Sequence, residues 1–229
     1  MTEWFAKLVG DEHTLGLLAE YLAGAHNYVL KDTSTYYLKI ADLPEDTEPT
    51  ILQETARQFI DLLNGAAKLY FGQFNGVTSH TVLKIRDDGK KEGFGFLTLR
   101  DRSTAWTLPP LPDGTFETWM DKGINSDAIA RALTLYGTLE HNWKNLYMVL
   151  EVIIESIGGE VELAKTGLIS QDCLKAFKHT ANSFRAIGRE ARHAKSNEVP
   201  PSKPMSLKEA QDLIAKVLRE WLQSKSRTS

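Results

Sequence analysis

The chain has 229 residues, of which 42% are hydrophobic and 25% charged, and its formal net charge at pH 7 is -3. This composition is that of an ordinary soluble globular protein, long enough for one large domain or two small ones. The single cysteine, Cys173, excludes an intramolecular disulfide and a cysteine-based zinc site within one chain. It is consistent with a reducing compartment.

The sequence contains no pattern that predicts export or membrane insertion. Its first residues, Met1–Phe5, lack the basic region followed by an apolar run that a signal peptide requires. The most apolar stretch, Leu146–Ile157, is too short to span a bilayer and contains Glu151 and Glu155. We therefore expect a cytoplasmic protein that does not bind a membrane.

The N-terminal half mixes helical and strand patterns. Residues 4–30 are predicted to be helical, Tyr36–Ile40 a short strand, and Ile51–Phe71 a helix capped by Thr50. The alternating run Thr78–Arg86, turn residues at 87–90 and the returning run Phe94–Leu99 predict a β-hairpin. The apolar residues that suggest the first helix are Leu15, Leu18, Leu22 and Ala25.

The C-terminal half is predicted to be helical. After a proline-rich connection at Trp106–Gly114, one long helix is expected from Asn125 or Ser126 to Ile157, with a kink or break at Gly137. A second helix is expected from its cap at Ser170 to about Ala194. A third opens with the capping box Ser206–Glu209. We thus predict an α+β protein: a small α+β unit with a β-hairpin at 1–124, then a mainly α-helical bundle at 125–229.

The charges are unevenly distributed. Residues 1–60 contain ten acidic and four basic residues, a balance of -6, whereas residues 171–203 contain seven basic and three acidic residues, a balance of +4. A continuous helix over the basic region would align cations on one stripe that ends at His193. The polar residues of this stripe are Lys178, Asn182, Arg185, Arg189 and Arg192.

Like charges three and four residues apart on a helix repel each other, so an anion is expected to offset this stripe. A phosphate-bearing ligand such as RNA or a nucleotide would do so, because the guanidinium fork of arginine matches phosphate oxygens. Protein carboxylates are the alternative. Tyr147, Glu151 and Glu155 on the preceding predicted helix are the groups expected to face the arginines.

Several segments of the C-terminal half together resemble the HEPN family of helical bundles, over residues 126–223. The segments are Trp143–Ile153, Phe177–Asn182, Gly188–His193, Pro200–Pro201 and Pro204–Ala210. The resemblance implies a homodimer through the helical domain. The family includes RNA-cleaving toxins and defence proteins that need no metal, and non-catalytic members that bind nucleotides or proteins.

The arginine-to-histidine spacing departs from the family's ribonucleases. These typically place four to six residues between the arginine and the histidine, whereas three separate Arg189 from His193 and seven separate Arg185 from it. The residue types of the catalytic set are present in Asn182, Arg185, Arg189 and His193. In outline, His193 would act as general acid or base on a ribose 2′-hydroxyl while the arginines stabilise the developing charge.

Three functions follow as expectations. The first is a cytoplasmic HEPN-like protein of defence or toxin–antitoxin type that binds RNA or a nucleotide through Lys178, Arg185, Arg189 and Arg192. The second is a metal-independent endoribonuclease that uses His193 with Arg185 and Arg189. The third is a non-catalytic structural or interaction protein. No cofactor is expected, and no metal, because the histidines show no metal-binding spacing; they are His13, His26, His80, His141, His179 and His193.

Overall fold

A computed structural model describes residues 3–22, 28–40, 43–72, 74–86, 90–95, 111, 114–138, 140–193 and 199–224. The chain divides into two compact units, residues 1–125 and 126–229. The first combines a β-sheet with helices and the second is mainly helical, which confirms the predicted α+β class. Within the described residues, no helix has both the length and the apolar character needed to cross a membrane.

The first unit is built on a five-stranded antiparallel sheet with the strand order β2-β3-β1-β4-β5. In this sheet β1 is the central strand, hydrogen-bonded to β3 on one side and β4 on the other. The strands are β1 (Glu3–Val9), β2 (Val29–Asp32), β3 (Thr35–Lys39), β4 (Thr78–Ile85) and β5 (Lys91–Gly95).

The central strand corrects the prediction of a helix over residues 4–30. Trp4, Phe5, Ala6 and Leu8 are all buried, whereas Lys7 and Val9 are exposed. The first half of the strand is an apolar run without alternation, so its periodicity does not distinguish it from a buried helix. Of the predicted helix, the described residues contain only α1 (Glu12–Tyr21). Its N-terminus is capped by Asp11, whose side chain accepts a hydrogen bond from the Thr14 amide. Ala25 and His26 lie outside the described residues.

The β-hairpin is confirmed by the pairing of β4 with β5. Its second strand begins at Lys91, three residues before the predicted start at Phe94. The predicted turn residues 87–89, the end of the predicted strand at 96–99 and the connection at 106–110 lie outside the described residues.

Two helices complete the first unit, α2 (Pro49–Phe71) and α3 (Thr115–Asn125). Thr50 is not the cap of α2, because Glu48 occupies that position. The side chain of Glu48 makes no capping hydrogen bond. Pro49 follows it in the first turn, where proline has no amide hydrogen that needs an acceptor. Helix α3 was not predicted. Its Asp121 accepts a hydrogen bond from the Tyr28 hydroxyl, and burial together with this contact raises the pKa of Tyr28, which keeps the phenol protonated.

The second unit contains a series of helices in place of the three predicted long ones. The expected helix from 125 to 157 is divided between α4 and α5, and Asn142 caps α5 by accepting a hydrogen bond from the Asn145 amide at 3.0 Å. The break follows Gly137 by a few residues. The helices are α4 (Asp127–Thr138), α5 (Trp143–Ile157), α6 (Glu160–Thr166), α7 (Gln171–Asn182), α8 (Phe184–Ile187) and α9 (Leu207–Ser224).

The core of the second unit is aromatic and aliphatic. Phe177 of α7 is fully buried, and its ring lies 5.8 Å from that of Trp143 and 5.9 Å from that of Tyr147, centroid to centroid. The capping box that opens α9 is confirmed: the Glu209 amide donates to Ser206 Oγ, and the Ser206 amide donates to the Glu209 carboxylate. The ring contacts of Phe177 with Trp143 and Tyr147 hold α7 against α5, where the predicted site lies.

Candidate functional site

The predicted cationic helix begins where expected but ends early. Ser170 caps α7, with its Oγ accepting a hydrogen bond from the Cys173 amide at 3.2 Å. The helix stops at Asn182 because Ser183 adopts an extended conformation, with φ -89° and ψ 103°. The prediction of one helix from Ser170 to about Ala194 is therefore wrong.

The residues after this break form a compact turn. Helix α8 is a single turn and ends at Gly188, whose φ of 62° and ψ of -137° are accessible to glycine but not to most L-residues. A 3₁₀ turn over Gly188–Glu190 follows, and the Arg192 amide then donates to the Ala181 carbonyl at 2.8 Å. The chain thus returns to the end of α7, and the five polar residues of the predicted stripe do not share one helical face.

Two of the predicted ligand-binding cations are engaged within the protein. Arg192 Nη2 lies 2.8 Å from Glu151 Oε1, and its guanidinium carbon lies 4.3 Å from the Tyr147 ring centroid. Lys178 pairs with Glu160. Burial disfavours the charge of Lys178, but Glu160 and Tyr147 together outweigh it through hydrogen bonds and charge, so the pKa of the ammonium group is raised. The alternative drawn from the sequence, that carboxylates offset the cations, is correct for these two.

The predicted partner Glu155 faces a different cation. Its Oε2 lies 2.8 Å from Arg131 Nη2, and the same guanidinium also lies 3.1 Å from Asp127. Among the described residues Glu155 is thus neutralised by α4 and not by residues 171–193, which we call the α7 segment. Only Tyr147 and Glu151 of the predicted counter-surface contact an arginine of that segment.

The other predicted cations are exposed. Arg185, Arg189 and His193 make no hydrogen bond or ion pair to any described residue, and no such bond joins any two of them. Asn182 differs from them: it is half-buried, and its Oδ1 has no hydrogen-bond partner among the described residues. The predicted catalytic set is therefore not assembled into one hydrogen-bonded site within a single chain.

A groove that the sequence did not predict lies between α6 and α7; we call it the α6–α7 groove. Its volume is about 800 Å³, and it is lined by apolar and basic side chains. The sequence pattern predicts only the end of a helix at Gly158-Gly159, and therefore neither α6 nor the groove beside it. Glycines at 159 and 167 also bracket the seven residues of α6, which was the available signal. The groove residues are Glu160, Val161, Ala164, Lys165, Gln171, Leu174, Lys175, Lys178 and His179.

A second groove, of about 660 Å³, lies along α4 and α5 and is acidic. Glu151, Glu155 and Glu160 line it together with Arg131. All three carboxylates take part in the ion pairs described above, so this groove shows no excess of unpaired acid. Within the residues that the structure describes, no group of three or more His, Cys, Asp or Glu side chains is placed to hold a metal ion.

Comparison of the chain with known proteins gives no match. No protein-family model, no curated protein and no solved structure matches the chain. The interpretation of the site therefore depends on the residues themselves.

Proposed function

We propose that the second unit is a HEPN-like bundle that binds the phosphate backbone of RNA through Arg185 and Arg189. The observation that carries the proposal is the exposure of these two arginines without any partner among the described residues. Two unpaired guanidinium groups four residues apart in sequence leave positive charge on this turn, which an anion would stabilise. The resemblance to the HEPN family in sequence supports RNA as that anion.

Only two of the four ligand-binding residues expected from the sequence are part of the proposed RNA-binding surface. Lys178 and Arg192 act within the fold, because Glu160 and Glu151 already neutralise them. Arg185 and Arg189 are positioned by the turn that Ser183 and Gly188 create, and this turn is closed by a backbone hydrogen bond. Its ends are therefore held, so the backbone that carries the two arginines loses less freedom on binding than that of an open loop.

The experiment is a salt titration of RNA binding. Fluorescence anisotropy of a labelled single-stranded RNA is followed with the full chain and with the Arg185→Ala/Arg189→Ala variant at several salt concentrations. We expect weaker binding by the variant and a slope of log K on log salt that is shallower by about 1.4, since each lost phosphate contact removes about 0.7 on single strands. A mononucleotide is used as competitor, and strong competition would make nucleotide the better ligand.

A matched control removes the same charge from the same unit. Lys144 and Lys216 are exposed residues of α5 and α9. The Lys144→Ala/Lys216→Ala variant is expected to retain the wild-type slope. Equal slopes for all three proteins, or the same loss in the control, would contradict the proposal, because binding would then depend on net charge or on another surface.

The endoribonuclease is the second candidate, and the exposure of His193 without a described partner is the observation that favours it. The protein is incubated with RNA and a chelator beside His193→Ala, with exposed His13→Ala of the first unit as matched control. We expect no cleavage by any of the three, because the spacing of Arg189 and His193 departs from that of the family's ribonucleases. Cleavage that only His193→Ala abolishes would replace binding by catalysis as the function.

The resemblance also supports a homodimer formed through the helical unit and a role in defence or as part of a toxin–antitoxin pair. The cytoplasmic location that we propose rests on the single cysteine and on the sequence pattern of the first residues. A dimer would supply a second copy of Arg185 and Arg189 to the same RNA. Sedimentation equilibrium of the full chain over a range of concentrations tests this, and a monomer at all of them would refute the dimer without affecting binding by one chain.

A further inference from the structure

The α6–α7 groove has an apolar floor and wall. Leu174 is buried beneath it, and Ala164 is half-buried on the α6 side. Val161, one turn before Ala164 on α6, is 70% exposed. The groove therefore presents two aliphatic side chains of α6 and the buried Leu174 of α7 to an occupant.

A second exposed valine, Val199, contacts a residue of this groove through its backbone carbonyl. The ring nitrogen Nε2 of His179 lies 2.8 Å from the Val199 carbonyl oxygen, and it must donate there because a carbonyl only accepts. Val199 is 76% exposed, and with Val161 it has the highest exposure of the large hydrophobic residues that the structure describes. Single exposed aliphatic residues are common, but Val161 lies in a groove whose floor is also apolar, which is a feature of docking surfaces.

The charge of the groove is positive. Lys165 and Lys178 are paired with Glu162 and Glu160 of α6. Lys175 is exposed and has no ion pair among the described residues. Three lysines and one glutamate line the groove, so a partner with carboxylates beside aliphatic side chains complements it in both respects.

We propose that the α6–α7 groove docks a short amphipathic acidic segment of a partner protein, with its aliphatic side chains against Val161, Ala164 and Leu174 and a carboxylate on Lys175. The groove follows α7 from Gln171 to His179, about 12 Å at 1.5 Å per residue. This length matches two turns of a bound helix, whose side chains at i, i+3 or i+4, and i+7 lie on one face.

The groove chemistry favours a peptide over RNA. RNA-binding surfaces stack unpaired bases on aromatic rings, and the residues that line this groove include no Phe, Tyr or Trp. The ring of His179 is held by its hydrogen bond to the Val199 carbonyl. This docking site is separate from the arginines of the proposed function and does not depend on them.

Selection from a display library of random peptides against the full chain tests the proposal. We expect enriched peptides with an excess of Asp and Glu and with Leu, Ile or Val at helical spacing. Synthetic copies should bind Val161→Thr and Lys175→Gln about tenfold more weakly than wild type, which corresponds to about 1.4 kcal/mol. Binding to wild type should weaken as salt is added.

The controls are exposed residues of the same types elsewhere. Ile51→Thr and Lys216→Gln alter an exposed aliphatic side chain and an exposed lysine outside the groove, and both should retain peptide binding. Since Val161 and Lys175 are exposed, their variants should show wild-type circular dichroism and thermal unfolding. The Arg185→Ala/Arg189→Ala variant should also retain the peptide, which separates this test from that of RNA binding.

Two results would overturn the proposal. One is a selection that yields no acidic peptide whose binding depends on Val161 or Lys175. The other is loss of RNA binding in Val161→Thr and Lys175→Gln, together with displacement of the peptide by RNA; the groove would then be part of the RNA surface.

Discussion

Replacement of Arg192 by alanine tests whether the cations of the α7 segment that have partners within the protein stabilise the fold, in contrast to those without a described partner. The guanidinium of Arg192 contacts two groups of α5, the Glu151 carboxylate at 2.8 Å and the Tyr147 ring at 4.3 Å. Arg185 and Arg189 have no described partner to lose. If this division is correct, Arg192→Ala destabilises the fold, whereas Arg185→Ala and Arg189→Ala do not.

The expected cost follows from the two contacts. A cation over an aromatic ring at a partly exposed site contributes about 0.5–1 kcal/mol, and a partly exposed ion pair about 0.2–1 kcal/mol. The side chains of Arg192 and Glu151 are 35% and 46% exposed, which places the ion pair in the lower part of its range. We expect Arg192→Ala to lower the free energy of unfolding by about 1 kcal/mol, and alanine at 185 or 189 to change it by less than about 0.5 kcal/mol.

Urea unfolding of the full chain, followed by circular dichroism at the helical signal, measures these differences. A double-mutant cycle with Glu151→Gln isolates the ion pair, whose coupling energy is expected at about 0.2–1 kcal/mol. Hydrogen exchange of α5 localises the effect, because the protection of its amides should fall in Arg192→Ala. The reasoning fails if Arg192→Ala unfolds like wild type, or if Arg185→Ala destabilises the protein as much as Arg192→Ala does.

Three further changes test other parts of the fold. Burial raises the pKa of Asp61 to about 6, above its ordinary value of 3.8, although Arg57 lies 3.0 Å away, so ionisation of Asp61 costs stability as pH rises from about 4 to 6. Asp61→Asn removes both this cost and the exposed ion pair with Arg57, and it should be more favourable by about 1–2 kcal/mol at pH 7.5 than at pH 4. Urea unfolding at the two pH values measures this, and equal effects at both would contradict it. Asp11→Ala removes the cap of α1 and should cost about 1 kcal/mol in the same assay, while Asp11→Ser, which can still cap, should recover most of it. The added methyl group of Gly188→Ala meets no atom within 4 Å, so the expected loss of about 1–3 kcal/mol in the free energy of unfolding comes only from the backbone conformation. The variant should also bind RNA more weakly. An unchanged melting temperature would show that the turn tolerates a side chain.

The parts of the fold that the sequence predicted are those with strong local signals. The hairpin, the cap at Ser170 and the capping box at Ser206 each depend on a few neighbouring residues. The strand β1 depends on partners distant in sequence: Phe5 lies opposite Lys39 and Leu83. Its apolar run fits a buried helix equally well, and only those partners decide the matter.

The site was partly predictable for a similar reason. That Tyr147 and Glu151 could face the basic residues was expected as one alternative from charge and position, but not that Arg192 is the arginine they contact or that Glu155 pairs elsewhere. The end of α7 at Ser183 did not follow, since serine is tolerated within helices and Gly188 alone suggests a kink as well as a stop. The α6–α7 groove required α6, whose seven residues are too few for a clear periodic pattern.

The position of β1 has a consequence for synthesis of the chain on the ribosome. One edge of β1 is paired once residues 35–39 emerge, but the other edge waits for β4, which begins only at Thr78. At about 5–20 residues per second, the intervening stretch takes several seconds to produce. During that time a strand rich in Trp, Phe and Leu has an unpaired edge, which is the condition for association between nascent chains or for capture by a chaperone.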